Sequence, residues 1–151
     1  MFKHLKNKVK AHLGGLLVLT ICNVASAGDV KIEAAEFKDV GESQWSVSVT
    51  LRHDDTGWDH YADDWRVVDE EGNVLGDRVL HHPHENEQPF TRSLSRVKVP
   101  EGVTVVYIEA HDKLHGWTEK RLKVDLEKVQ DGTLKVVPEA SENETTDALA
   151  S

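Results

Sequence analysis

The sequence predicts an all-β domain, a sandwich of about seven antiparallel strands. Short runs rich in Val, Ile and other β-forming residues recur along the chain, with Gly, Pro, Asn or Asp between them. The stretch from Trp45 to Arg52 alternates apolar and polar residues without interruption, which is typical of a strand with one buried face. No stretch shows the spacing of an amphipathic helix. Together these patterns favour two packed antiparallel sheets.

The N-terminal segment has the pattern of a secretory signal, and we expect residues 1–27 to be a signal peptide. Four lysines lie within the first ten residues, and an apolar stretch, Leu13 to Cys22, is too short to span a bilayer. Ala25-Ser26-Ala27 then provides a small-residue cleavage site. Lipid attachment at Cys22 is a weaker hypothesis because the preceding Ile21 is bulky, and an uncleaved membrane anchor is also less favoured.

Cleavage after residue 27 changes the chemistry that the domain can offer. The signal contains the only Cys and the only Met, so the mature chain has no disulfide, thiolate or thioether. It also contains four lysines and no acidic residue, so its removal takes the formal charge from −9 to −13. Such a charge disfavours nucleic acid and anionic membranes and favours cations as partners. The expected location is the periplasm or the exterior of the cell.

The sandwich domain is expected to occupy residues 28–128. Its predicted strands are 30–37, 45–52, 65–69, 74–80, 91–99, 103–110 and 121–126. Glu70-Glu71-Gly72-Asn73 and Pro100-Glu101-Gly102 have the composition of turns. The last stretch, 129–151, is rich in acidic and polar residues and is predicted to be a disordered tail.

One part of the strand pattern is specific enough to suggest a family. Leu94-x-x-Val97-x-Val99-Pro100-x-Gly102, followed by Val106-x-Ile108-x-Ala110, resembles the E strand, proline turn and F strand of fibronectin type III-like and immunoglobulin-like domains. The resemblance implies the strand order A, B, C, C′, E, F, G. In that order the B–C, C′–E and F–G connections emerge at the same end of the sandwich.

All seven histidines of the mature chain lie in these three connections or at their borders. They are His53 and His60, then His81, His82 and His84, then His111 and His115. The connections at the other end contain none. This asymmetry is the strongest functional signal in the sequence, and it predicts a histidine cluster at one end of the domain.

Imidazole is a good ligand for zinc and copper(II), and carboxylates can complete or support such a site. The predicted metal ligands are His53, His82, His84, His111 and His115. The carboxylates predicted to support them are Asp54, Asp59, Glu85 and Asp112. His82-Pro83-His84 is favourable because residues i and i+2 of an extended segment point the same way. His60 and His81 are expected to be exposed.

Structural roles remain open for most of these residues. His53 could be a core histidine bonded to Asp54 or Asp55, and Trp58 and Tyr61 could simply anchor loops. Two further functions are therefore considered. A metal-free protein-interaction module would use the same Trp, Tyr and His surface. An enzyme acting through a His–Asp pair ranks last because no nucleophile is evident beyond scattered Ser and Thr.

Three segments together carry a second resemblance. They are 57–65, 82–93 and 115–117, and they look like a small group of exported bacterial proteins of unknown function. This resemblance implies export and a single β domain but no activity.

Overall fold

The computed structural model describes residues 29–140, which form two antiparallel sheets packed face to face. The strands are β1 (Lys31–Gly41), β2 (Gln44–Arg52), β3 (Ala62–Asp69), β4 (Val74–Val79), β5 (Phe90–Lys98), β6 (Val105–Asp112), β7 (Gly116–Trp117), β8 (Leu122–Asp125) and β9 (Thr133–Val136). A short 3-10 helix, Leu126–Lys128, follows β8. One sheet has the order β5-β2-β1-β9, and the other has the order β4-β3-β6-β7 with β8 also paired to β6.

This architecture confirms the predicted all-β sandwich. Strands β1, β2 and β5 take the places of A, B and E, while β4, β3, β6 and β8 take those of C′, C, F and G. Each of the seven predicted strands is present, with boundaries shifted by a few residues. Strands β7 and β9 are additional.

The core lies between the sheets and follows the period of two seen in the sequence. In β2 the side chains of Trp45, Val47, Val49 and Leu51 are all buried, and the intervening residues are not. Trp65 of β3 lies opposite and is completely buried. Burial of one such large apolar side chain contributes about 1.5–3 kcal/mol. These rigid strands hold the loops that carry the histidines.

The two sheets are in close contact where the edge strands β4 and β5 meet. A side chain at Gly76 would place its Cβ 2.9 Å from Cδ2 of Leu94 and 3.1 Å from Cγ2 of Val97. Nearby, Nε of Arg78 donates a hydrogen bond of 3.0 Å to the carbonyl oxygen of Ser93. The glycine therefore allows close packing of the two edges.

The folded domain extends past residue 128, which was its predicted last residue. Strand β9 lies within the predicted tail and pairs with residues Ala35 to Lys38 of β1. Its four residues are too few to produce a clear pattern on their own, and β1 supplies the partner that stabilises them. The predicted signal peptide, residues 1–27, and residues 141–151 lie outside the described residues. In the described stretch, 29–140, no helix has the length and apolar character needed to cross a bilayer.

Candidate metal centre

Backbone contacts show that the three histidine-bearing connections converge at one end of the sandwich. The carboxylate of Asp55, in the connection after β2, accepts a hydrogen bond of 2.6 Å from the backbone N–H of His84, in the connection after β4. Lys113, in the connection after β6, donates its backbone N–H to the carbonyl of Tyr61 over 3.1 Å. The convergence predicted from strand order is therefore correct.

At this end, His53, His60 and Asp112 form a group that could hold a metal ion. One ligand atom from each residue lies within 4.8 Å of the other two. Nε2 of His53 is 3.7 Å from Oδ2 of Asp112, and Nε2 of His60 is 3.7 Å from Oδ1. Ligand atoms around a tetrahedral ion with bonds of about 2.1 Å are about 3.4 Å apart. The two distances to Asp112 are close to this value.

His53 is held in position by a buried carboxylate. His53 follows Leu51 on the inward face of β2, just past the end of the strand, and is only 3% exposed. Its Nδ1 donates a hydrogen bond of 2.6 Å to Oδ1 of Asp55. A carboxylate at Nδ1 fixes the tautomer in which Nε2 can act as a metal ligand. The structural alternative, a core histidine bonded to Asp55, describes the same contact.

His60 was expected to be exposed, but the structure places it against the group. A tight turn brings it there: Gly57, with φ of 138°, accepts the backbone N–H of His60 over 3.2 Å. The imidazole lies edge to face with that of His53, with ring centroids 4.8 Å apart. Its Nε2 is buried and has no hydrogen-bond partner among residues 29–140. A buried ring nitrogen in this position is costly unless something binds it.

Asp112 supplies the carboxylate of the group and is almost fully buried, at 1% exposure. It ends β6, and its Oδ1 accepts the backbone N–H groups of Leu114 and His115 over 2.8 and 2.6 Å. Burial acts to raise the pKa of Asp112, but these hydrogen bonds and the His115 side chain outweigh it and lower the pKa. The carboxylate is therefore ionised, as a metal ligand must be.

His115 also contacts Asp112. Its Nδ1 is 3.0 Å from Oδ2 of Asp112, and its ring centroid is 5.0 Å from that of His60. With Asp29 and Asp112 it makes a second group whose ligand atoms lie within 4.8 Å of one another. Gly116, with φ of 81°, closes the β6–β7 turn that presents His115.

His82 and His84, both predicted ligands, are neighbours of each other but belong to neither group. Their ring centroids are 4.6 Å apart, as the i, i+2 argument predicts. The His84 ring stacks on Phe90 at 4.0 Å, and Nη2 of Arg92 donates to its Nε2 over 2.8 Å. Burial first, and then the positive charge of Arg92, lower the pKa of His84. Arg92 thus occupies Nε2, whereas Nδ1 of His84 is buried without a hydrogen-bond partner among residues 29–140 and lies 4.0 Å from Oδ2 of Asp55.

The loop that carries His82 and His84 has a clear structural role. Phe90 is buried, and Arg92 also pairs with Glu87 at 3.3 Å, so these contacts tie the loop back to the sandwich. On its outer side an open groove of about 610 Å³ lies between Trp58 and residues 82–87. His81 is exposed, as predicted.

His111, another predicted ligand, lies on the outer face of the second sheet. In β6 alternate residues face the core, so Asp112 faces inward and His111 outward. Its Nδ1 bonds to Oδ1 of Asp63, and its ring lies against Trp117 with centroids 4.9 Å apart. The guanidinium of Arg66 covers the Trp117 ring at 3.7 Å. His111 therefore lies on the opposite face of the sheet from Asp112 and the candidate metal group.

Of the carboxylates predicted to support the histidines, some belong to the two candidate metal groups and others do not. Asp112 is at the centre of both groups, whereas Asp54, Asp59 and Glu85 are exposed and belong to neither. Asp55 takes the supporting role instead. The signal that could have identified it is the period of two from Leu51 through His53 to Asp55, since all three are buried.

Comparisons with known proteins add a distant relative but no family. No family model matches the chain, and no solved structure matches it. Over 118 residues it is 40% identical to a protein of Halomicrobium mukohataei that bears the name "Putative lipoprotein". The match covers 78% of this chain and 55% of that protein, so the chain spans about half the length of the relative. The relative's name states a class of protein and no activity.

Proposed function

We propose that this is an exported protein that binds a divalent transition metal ion, zinc or copper(II), through His53, His60 and Asp112. The observation that carries the proposal is the buried Nε2 of His60, which lacks a hydrogen-bond partner in the described chain and lies 3.7 Å from an ionised, buried carboxylate. Two imidazoles and one carboxylate suit both metals.

Asp55 and the surrounding charge support this assignment. Asp55 orients His53 through Nδ1 and is itself held by the backbone N–H groups of Ala62 and His84. A hydrogen-bonded carboxylate of this kind is the usual support of a metal-bound histidine. The acidic domain raises the local concentration of cations. Water can take the fourth position of such a site.

Direct binding of zinc and copper(II) to the exported protein, purified without an affinity tag, tests the proposal. Calorimetric titration of the metal-free protein should give a saturable site in the wild type. The His60→Ala variant should bind at least tenfold more weakly, because it loses one of three ligands. His81→Ala is the matched control, since His81 is exposed and outside the group. Equal affinity in the wild type and His60→Ala would contradict the proposal.

Acid should weaken binding, since both imidazoles must be neutral to act as ligands. Zinc affinity measured at pH 7.5 and at pH 5.5 should fall at the lower value. An unchanged affinity would indicate oxygen ligands and would remove His53 and His60 from the site.

Export is supported by the N-terminal pattern of residues 1–27 and by the name of the relative. That name also adds weight to the weaker hypothesis of lipid attachment at Cys22. Mass spectrometry of the exported protein separates the two routes, because cleavage after Ala27 gives a chain starting at Gly28, whereas lipidation gives a heavier chain starting at Cys22. Retention of the whole protein in the cytoplasm would contradict export.

A metal-free interaction module is the second candidate function, and exposed apolar groups at the loop end favour it. Trp58 is 63% exposed and Leu114 is 65% exposed. In addition, His53, His111 and His115 each bond to a carboxylate, as expected for rings that serve structure. Pull-down from the native extract with Trp58→Ala/Leu114→Ala as control tests this function. A partner that is captured equally by both forms would argue against it.

A further inference from the structure

Asp112 is shared by two separate groups of ligand atoms. His53 and His60 belong to one group, and Asp29 and His115 belong to the other. Within each group all ligand atoms lie within 4.8 Å of one another. The groups do not merge into one set of four or five at that distance, so a single ion cannot contact all of these residues without rearrangement.

The Asp112 carboxylate has the capacity to contact two ions. A carboxylate offers about four lone-pair sites. The two on Oδ1 accept the backbone N–H groups of Leu114 and His115, and these bonds fix the carboxylate in place. The two lone pairs of Oδ2 remain. Nδ1 of His115 faces Oδ2 at 3.0 Å, a contact that an ion between the two residues would replace.

We propose that a second, weaker divalent cation binds between Asp29, Asp112 and His115, with Asp112 bridging the two ions. This inference rests on the proposed function, because it places the second ion beside the first. A carboxylate bridge of this kind holds two ions about 3.5–4 Å apart. The second ion binds more weakly because Asp29 and His115 are exposed and because the first ion repels it.

The second ion would link two distant parts of the chain. Asp29 precedes β1, while His115 lies in the turn between β6 and β7. These segments belong to different sheets. Metal occupancy would therefore fasten the start of the domain to its loop end.

Zinc titration of the exported protein, with zinc alone as the probe, tests the inference. The wild type should bind about two zinc ions per chain, in a tighter and a weaker step. Asp29→Asn should remove the weaker step and leave the affinity of the tighter step unchanged within about threefold, because Asp29 belongs only to the second group. Asp131→Asn is the matched control, since it makes the same change at an exposed turn outside both groups.

The outcomes separate this inference from the proposed function. Loss of the weaker step in both Asp29→Asn and His115→Ala supports the second ion. Wild-type protein that binds a single zinc, with Asp29→Asn unchanged, overturns the second ion and leaves the first site standing. Wild-type protein that binds no zinc overturns both.

Discussion

Nδ1 of His53 donates a hydrogen bond of 2.6 Å to Oδ1 of Asp55, and both side chains are almost fully buried, at 1% and 0% exposure. The same carboxylate accepts the backbone N–H of Ala62 over 3.1 Å and that of His84 over 2.6 Å. One buried acid therefore connects the strand β2 end, the start of β3 and the loop that follows β4. It fixes the loops and orients a candidate ligand at the same time.

Removing this carboxylate should destabilise the fold. Asp55→Ala leaves three buried donors without an acceptor, and each costs about 1–3 kcal/mol, so the free energy of unfolding should fall by about 3 kcal/mol or more. Urea denaturation measures this change. Asp54→Ala is the matched control, because Asp54 is adjacent but exposed and should stay within about 0.5 kcal/mol of the wild type.

The conservative variant Asp55→Asn separates the role of Asp55 in orienting His53 from its role in folding. Asp55→Asn keeps the shape of the side chain but removes its negative charge, and its amide has one acceptor oxygen in place of two, so the hydrogen bonds from His53, Ala62 and His84 cannot all be kept. Zinc affinity should fall about 10–100-fold, as for other carboxylates that support a metal-bound histidine. Unchanged affinity in a folded Asp55→Asn protein would show that His53 is not a ligand.

His84 should make the fold sensitive to acid. Burial and the charge of Arg92 lower its pKa below the ordinary value of 6.5, so the folded state keeps the imidazole neutral. The unfolded chain takes up a proton near pH 6.5 and the folded chain does not. Stability should therefore decrease as the pH falls below about 6.5.

Two measurements check this prediction. An NMR titration of the His84 ring should give a pKa below the ordinary value of 6.5, and Arg92→Met should raise it. In urea denaturation, the wild type should lose more stability between pH 7.5 and pH 5.5 than His84→Gln. Parallel pH dependence in the two proteins would rule out His84 as the source.

The contact between β4 and β5 makes Gly76 hard to replace. An added Cβ would lie 2.9 Å from Leu94 and 3.1 Å from Val97, so Gly76→Ala should lower the free energy of unfolding by about 1–3 kcal/mol. Thermal or urea denaturation measures the change. Leu94→Ala removes part of the steric clash. The double variant Gly76→Ala/Leu94→Ala should therefore lose less free energy of unfolding than the sum of the losses in the two single variants. Simple additivity would indicate that the clash is not the cause.

Much of the fold was predictable because local patterns are strong in this chain. The alternation from Trp45 to Leu51 is set by burial of one face, and the resemblance around Pro100 gave the strand order and hence the convergence of the loops. Strand β9 was not predictable in the same way, since four residues such as Thr133–Val136 form a strand only because the edge of β1 is available.

The candidate site was predictable in its location and only partly in its members. The inward-facing positions of β2 and β6 predict that His53 and Asp112 point toward the site. The same alternation of side chains places His111 on the outer face, away from the site. His60 depends on the turn at Gly57, which bends the loop back, and no periodic signal marks such a contact. The pairing of His84 with Arg92 is likewise a tertiary contact that the sequence does not specify.

Asp64 should have the opposite effect on pH stability to His84, because the folded protein favours its protonated, neutral form. Burial, and then a hydrogen bond and negative charge from Asp77, raise its pKa to about 7. The folded chain therefore holds a proton between about pH 4 and pH 7 that the unfolded chain releases, and stability should fall as the pH rises through this range. Above pH 7 the folded protein carries a disfavoured charge beside Asp77.

Asp64→Asn should therefore stabilise the protein at pH 8 by about 1 kcal/mol, a value reduced from the full effect because the site is only partly buried. At pH 5 the wild type is already protonated there, and the two proteins should have nearly equal stability. Urea denaturation at both pH values makes the comparison. Asp69→Asn serves as a contrast, because hydrogen bonds from Asn73 lower the pKa of Asp69, and its replacement should not stabilise the protein at either pH. A stabilisation by Asp64→Asn of the same size at pH 5 and pH 8 would show that loss of the charge is not its cause.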